Sequence, residues 1–256
     1  TTSRAPANGP PRRRRSSPNS SVRDRADISD GASPSGGASS EDGARELLRG
    51  AYEAVYRHPP DFGGFSAGVH YAWDQESWGG VVRVESPSSI SYEGAVSGSD
   101  EHFKWELASM VGHHWHLPFE EAEGGMGLSL ERRENPLGRV VKVEDGLDSK
   151  YRVQGGQVTQ IERRFKDLRF SINIQQRDFT GDGRTLPVHF CVVYWSVDGG
   201  RLVRTDIYRD GYKKVEGIHL PLSRRIITAD DSGSTTRQIL FRDHELLGEG
   251  EGRKAG

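Results

Sequence analysis

The chain is short of cysteine, of apolar residues and of long hydrophobic runs, and each shortage excludes a class of protein. A single cysteine, Cys191, can form neither an internal disulfide nor a cysteine-rich zinc site. No stretch of 18 apolar residues is present, so the sequence contains no segment that would cross a membrane as a helix. Apolar residues make up only 33 % of the 256 residues, which indicates that part of the chain does not fold into a core.

Charge is distributed unevenly along the chain. The net charge of −2 argues against a protein that coats nucleic acid, yet residues 1–23 hold six arginines and no acid. Residues 1–40 are also rich in serine, proline and glycine, and we predict that they are disordered because they offer little apolar surface to bury. An arginine- and serine-rich amino end with few acids is typical of a transit peptide or its remnant. A plain disordered tail and a nuclear signal built on Arg12–Arg15 are the alternatives.

The folded part is predicted to be a single domain over residues 41–247, followed by a flexible tail at 248–256. An amphipathic helix is predicted over 41–58, which Pro59 and its neighbour end. Its apolar stripe, which we expect to pack on the concave face of the sheet, consists of Ala44, Leu47, Leu48, Ala51 and Val55. A second helix is predicted over 99–117 by the same criterion.

Most other segments alternate between apolar and polar residues and are predicted to be strands. Asp-Gly and Gly-Gly pairs separate them without intervening helices, which favours up-and-down antiparallel pairing. The run Leu186–Val197 is apolar on both faces and is predicted to be a central, fully covered strand. The predicted fold is mainly β (α+β): a strongly curled antiparallel sheet of about ten strands forming a half-open β-barrel, covered by the two helices. A closed barrel or a sandwich is the next alternative.

Two stretches resemble a known family. ARELLRGAYEAVYRHPPDFGGFSAGVHY at 44–71 resembles the opening of an uncharacterised domain-of-unknown-function family of cyanobacteria and photosynthetic eukaryotes, and DIYRDGYKKVEGIHLPLSRRI at 206–226 resembles its last hairpin. The strand pair GGVVRVESPSSISYE at 79–93 is more loosely similar to periplasmic lipoprotein carriers and related sensor domains. Those carriers are unclosed barrels that hold acyl chains in a hydrophobic concavity. The two resemblances imply a chloroplast protein, in the stroma or associated with thylakoids, with an apolar cavity.

Aromatic residues supply the candidate ligand site. Most aromatic side chains in such a fold belong to the core, but a minority that line the barrel mouth would form a pocket for a hydrophobic ligand. The residues that we expect to line this pocket are Phe65, Tyr71, Trp73, Trp105, Phe170 and Tyr194.

Three groups of polar residues are candidate chemical sites. His113 and His116 share a predicted helical face and are weak zinc candidates, although histidines at a helix carboxyl end have an ordinary electrostatic role. The loop 178–183 resembles the first half of a calcium-binding loop, but its Asp-Gly pair between two predicted strands indicates a hairpin turn. His189 and Cys191 share a strand face, but a thiol in an apolar run behaves as a small hydrophobe. The sequence therefore assigns no catalytic residue, metal or cofactor.

Charged residues of both signs follow the late strands, among them Asp206, Asp210 and Arg224. This pattern predicts a solvated sheet face with cross-strand pairs, and a polar substrate site is the alternative.

Three functions remain open. The first is a non-catalytic plastid protein that binds a hydrophobic small molecule, or a membrane-associated or acylated client protein, in the half-barrel cavity, with a role in photosynthetic membrane maintenance. The second is an assembly factor whose cavity is filled by its own helix and whose sheet meets a protein partner. The third is an enzyme that acts on a lipid- or pigment-like substrate. No nucleic-acid partner is expected.

Overall fold

The computed structural model describes residues 40–94, 100–131 and 136–248. The segment predicted to be disordered and the predicted tail lie outside the described residues, apart from their boundary residues. All the described residues belong to one compact unit. No helix in the described ranges is both long and apolar enough to cross a membrane.

Helix α1 spans Ser40–Glu53 and buries Ala44, Leu48 and Ala51 on one face, as its apolar spacing predicts. The prediction that it continues to residue 58 is wrong. Thr185 forms backbone hydrogen bonds with the residues that follow Glu53. Its N–H donates to the carbonyl of Ala54, and its carbonyl accepts from the N–H of Tyr56, both at 2.8 Å. Tertiary hydrogen bonds to a strand thus replace the last helical turn.

Helix α2 spans Asp100–Gly112 and is also shorter than predicted. Beyond Gly112 the chain turns, and the carbonyl of His114 accepts a hydrogen bond from the N–H of His58 at 2.7 Å. Glycine is a poor helix former, which makes this position a favourable end. A short π-helical turn at Glu120–Gly124, which the sequence pattern does not predict, follows.

Twelve strands form one sheet in the described residues. In chain order they are β1 (Phe65–Trp73), β2 (Glu76–Ser86), β3 (Ser89–Gly94), β4 (Leu128–Leu130), β5 (Arg139–Val143), β6 (Ser149–Gln154), β7 (Gln157–Phe165), β8 (Leu168–Phe179), β9 (Thr185–Ser196), β10 (Leu202–Val215), β11 (Ile218–Asp230) and β12 (Gly233–Leu246).

The spatial order is β3-β2-β1-β12-β11-β10-β9-β8-β7-β6-β5-β4, and neighbouring strands pair antiparallel. Within the described ranges β3 and β4 do not pair with each other, so the sheet is open. The predicted fold class, a mainly β half-open barrel with two helices, is confirmed, with twelve strands rather than about ten. The first hairpin joins the last strand, with Tyr71 opposite Ile239.

The two helices cover two parts of the same sheet face. Leu48 of α1 packs with Val141 and Tyr151 of the β4–β6 part. Phe103 and Leu107 of α2 pack on the β1, β2 and β12 part. We call this helix-bearing side the inner face.

Candidate functional site

Between the two helices, strands β8–β11 carry an apolar cluster to which no helix contributes, among the residues that the structure describes. The phenylalanine and tyrosine rings at its centre are only half-buried, except that of Tyr208. We call this surface the central cleft. Its floor consists of Phe170, Ile172, Phe190, Val192, Tyr194 and Tyr208.

Strand register arranges the floor in rows. Phe170 lies opposite Tyr194 with ring centroids 5.7 Å apart, and Phe190 stacks on Tyr208 at 4.6 Å. With the usual rise per residue, three such rows extend about 13 Å along the strands. With the usual strand spacing, the four strands β8–β11 extend about 14 Å across the sheet. A surface of this size fits a single apolar chain or ring system.

One end of the cleft is flanked by two arginines. The backbone pairing places Arg163, Phe170, Tyr194 and Arg204 in one row across β7–β10. The Arg204 guanidinium lies 4.3 Å from the Tyr194 ring centroid, and its Nε is 3.2 Å from Asp206 Oδ2. The apolar floor therefore ends at guanidinium groups, which can donate hydrogen bonds to a polar group of a ligand.

A cavity of about 380 Å³ lies next to this end of the cleft. Leu168, Tyr194 and Val203 line its apolar part, and Arg204 and Asp230 are among its charged walls. Tyr194 belongs to both the floor and the cavity, so the two adjoin at this side chain.

A network of buried charges ties α2 to the sheet beside the cleft. The Arg224 side chain, 1 % exposed, donates from Nε and Nη2 to the two carboxylate oxygens of Asp210 at 2.8 and 2.6 Å. Its Nη1 lies 3.4 Å from Glu106 of α2, which is also 3.3 Å from Arg237. Burial raises the pKa of Glu106, and the two arginines oppose that shift.

The prediction of a solvated charged face is wrong for Asp206, Asp210 and Arg224, which are all buried. Asp206 accepts a hydrogen bond from Thr228 at 2.7 Å. These residues face inward under α2, and opposite charges pair there because unpaired charges away from water are costly.

Two of the three histidines after α2 face different surroundings. The buried imidazole of His114 donates from Nδ1 to the Tyr56 carbonyl and lies 2.9 Å from the Tyr212 hydroxyl through Nε2. Burial lowers its pKa to about 4. The His113 side chain, in contrast, is exposed to solvent.

The metal candidates do not share a helical face, because α2 ends before both His113 and His116. In the described part of the chain, no three His, Cys, Asp or Glu side chains are grouped so that they could hold a metal ion.

Residues 39–247 match the model of a family described as a protein of unknown function, DUF3386. The chain belongs to this family. The match confirms the resemblance to a domain-of-unknown-function family, while the predicted distribution among photosynthetic organisms stays a prediction. Comparison with curated proteins gives no significant match.

Several solved structures are similar to this DUF3386 protein at low scores. A LolA superfamily protein from Nitrosomonas europaea shares 15 % identity over 80 % of this chain and 94 % of its own, with a TM-score of 0.30. A domain from Vibrio parahaemolyticus, described as an outer membrane lipoprotein-sorting protein, shares 9 % identity over 84 % and 97 %, with a TM-score of 0.33. MucB in the Pseudomonas aeruginosa MucA/MucB complex shares 10 % identity over 80 % and 99 %, with a TM-score of 0.20. Similarities at this level assign no function.

The DUF3386 structure brings two of the predicted pocket residues together. Phe170 and Tyr194 lie in the central cleft. Phe65 and Tyr71 are fully buried in the core under α2, where the Tyr71 ring lies 5.4 Å from that of Phe103. The remaining two predicted residues are placed apart from the cleft.

Trp73 is half-buried, with the Arg237 guanidinium 5.6 Å from its ring, and Trp105 on α2 is 57 % exposed. Sequence reasoning missed Phe190, Val192 and Tyr208. The alternation of Phe190, Val192 and Tyr194 along one strand was the available signal, but the prediction that this strand is fully covered concealed it. That prediction is wrong, because β9 is central yet most of its side chains are only half-buried.

Proposed function

We propose that this DUF3386 protein is a non-catalytic binding protein that holds a hydrophobic small molecule, or the acyl chain of a client, on the central cleft. One observation carries the proposal. The inner face is covered by a helix on both sides, whereas its centre presents half-buried aromatic and aliphatic side chains that the described residues leave open. Apolar surface of this kind in a concave site is what small-molecule sites offer.

The energy available is sufficient for useful affinity. Covering roughly 300 Å² of apolar ligand surface contributes about 7.5 kcal/mol at 25 cal/mol per Å², before the costs of association. Micromolar binding corresponds to about −8 kcal/mol, so apolar contact together with a polar contact at Arg163 or Arg204 reaches that range. The two arginines support a ligand with a polar end.

The experiment is a titration of the protein with fatty acids and isoprenoids, followed by intrinsic fluorescence and checked by mass spectrometry of copurified molecules. Phe170→Ser and Phe190→Ser are expected to weaken binding by about tenfold each, since each removes apolar contact from the floor. Ile207→Ser is the matched control, because Ile207 lies on β10 directly before Tyr208 and therefore points to the opposite face. No saturable binding below about 100 μM, which is about −5.5 kcal/mol, contradicts the proposal.

A second candidate function is that of an assembly factor with a self-filled cavity. It is favoured by α2, whose Phe103, Leu107 and Met110 fully occupy the inner face over β1 and β2. A protein partner would then contact the sheet rather than a ligand entering it. Failure of every ligand in the titration, with a protein recovered by crosslinking through the cleft residues, would favour this function.

We further propose that the protein acts in a plastid, where it serves maintenance of photosynthetic membranes. The support is the arginine-rich, acid-free composition of residues 1–23. Import of the full-length precursor into isolated chloroplasts, compared with a form lacking residues 1–40, tests the location. Equal import of both forms, or nuclear accumulation of a fluorescent fusion, contradicts it.

A further inference from the structure

Two neighbouring hairpin turns at one end of the sheet present apolar side chains to solvent. Phe165 and Leu168 on the β7–β8 turn are 52 % and 37 % exposed, and Leu202 after the β9–β10 turn is 52 % exposed. The turns are in contact, because the N–H of Val197 donates to the carbonyl of Asp167 at 2.8 Å. We call residues 164–169 and 197–202 the tip surface. Exposed apolar side chains grouped in this way mark an interaction site more often than scattered ones do.

Cations surround these apolar side chains. Arg164, Lys166 and Arg169 are exposed, and none of them forms a salt bridge with another residue in the described ranges. Arg201 pairs with Asp231 at 2.9 Å. The tip surface contains two acids, Asp167 and Asp198, against four cations. It therefore carries a positive excess beside its apolar side chains.

A cavity of about 310 Å³ lies at the same end, between the strands that lead into the turns. Its charged lining consists of Lys150, Arg163, Arg164 and Arg169 against Asp148 and Glu162. Glu162 and Arg163 are both engaged elsewhere, since Glu162 Oε1 lies 3.3 Å from Arg152 and Arg163 donates to the Tyr151 hydroxyl at 2.6 Å. Lys150, Arg164 and Arg169 then remain against Asp148. The cavity thus offers more positive than negative charge to an incoming group, which suits an anion.

We propose that the tip surface docks this protein on an anionic lipid surface. Phe165, Leu168 and Leu202 enter the interfacial layer, and Arg164, Lys166 and Arg169 contact the anionic headgroups. Apolar side chains next to cations are the combination that binds peripheral proteins to such surfaces. A soluble anion would explain the cations but not the three exposed apolar side chains.

Docking in this orientation places the cleft against the lipid. Leu168 belongs to the tip surface and also lines the 380 Å³ cavity, which adjoins the central cleft at Tyr194. An apolar ligand could then pass between the bilayer and the cleft without crossing water. Passage of a ligand depends on the function proposed above, whereas docking itself does not.

The apolar arm of the test uses the full chain and cosedimentation with phosphatidylglycerol-containing vesicles. The double variant Phe165→Ser, Leu202→Ser is expected to bind these vesicles at least about tenfold more weakly. Phe179→Ser is the matched control, because Phe179 is 75 % exposed at the opposite end of β8. The 12 residues of that strand place it about 36 Å from Leu168. Vesicle binding by the control should equal that of the parent protein.

The charge arm replaces Arg164 and Lys166 by glutamate. Binding to phosphatidylglycerol vesicles is expected to fall by roughly fivefold or more per position and to weaken with added salt in the parent. Lys213→Glu with Lys214→Glu, near the opposite end of β10, is the control. Thermal melts that match the parent show that each variant is folded.

Three results would overturn the proposal. The first is vesicle binding by the tip variants that equals the parent's, and the second is an equal loss in the Phe179→Ser control. The third is binding of soluble glycerophosphate with no binding to vesicles, which makes the cavity an anion site only. Tip variants that lose vesicle binding but keep their affinity for apolar ligands separate this inference from the cleft. Loss of ligand affinity in Phe190→Ser alone bears only on the proposed function.

Discussion

The two helices are held on the same sheet face by different means. Helix α1 rests on its apolar stripe, and its arginines form ion pairs at the surface, such as Arg49 with Glu120. Helix α2 also buries apolar side chains, but its Glu106 enters a buried network with Arg224 and Asp210. Apolar contact tolerates small shifts, whereas paired buried charges require one arrangement. We therefore expect α2 to be fixed more strictly on the sheet than α1.

The largest effect is expected from breaking the network under α2. Arg224→Met leaves Asp210 and Glu106 buried with one cation fewer, which should cost about 3–5 kcal/mol of unfolding free energy. Urea denaturation measures the change. Arg225→Met, at the adjacent exposed position, should change stability by less than about 0.5 kcal/mol. Similar small losses in both variants would show that the network does not hold α2.

The corresponding change under α1 removes apolar contact. Leu48→Ala deletes a fully buried side chain that packs with Val141 and should cost about 2–5 kcal/mol by the same measurement. Glu46→Ala on the exposed side of the helix serves as the control. A loss below about 1 kcal/mol for Leu48→Ala would mean that α1 is not anchored by its stripe.

Acid should loosen the region around the carboxyl end of α2. Burial lowers the pKa of His114 to about 4 and that of His58 to about 3, below the usual value near 6.5. The unfolded chain therefore takes up these protons at a higher pH than the folded protein does. As the pH drops from about 6.5 towards these values, the free energy of unfolding falls by a few kcal/mol at most.

Melting temperatures between pH 7 and pH 4 measure this loss. His114→Gln removes one of the titrating groups and should flatten the pH dependence, whereas His116→Gln, at an exposed position, should not. An unchanged slope in His114→Gln would show that the loss in acid has another origin.

The smallest change in stability is expected from the ion pairs on the solvent-exposed side of α1. Arg49→Ala breaks the pair with Glu120 at a partly exposed site and should cost under about 1 kcal/mol, an effect that salt reduces further. A cost as large as that of Arg224→Met would remove the distinction between the two helices.

Local pattern was enough to predict most of the elements. Alternation along the chain identified the strands, and Asp-Gly and Gly-Gly pairs located their turns, because both depend on neighbouring residues only. The stripe of α1 likewise predicted Leu48 and Ala51 as buried. These features led to the mainly β half-open barrel with two helices.

The sequence by itself determined the strands, the turns and the inward stripe of α1, and it named Phe170 and Tyr194 among the expected pocket residues. Only the tertiary structure decided that β1 joins β12, that Thr185 ends α1 early and that α2 buries Arg224. It also decided which aromatic side chains stay uncovered: Tyr71 packs against Phe103 of α2, whereas Phe190, in the part of the chain that the structure describes, packs in a cluster of strand residues. The physical reason is distance along the chain, since alternation shows which face a side chain takes but not which distant element covers that face.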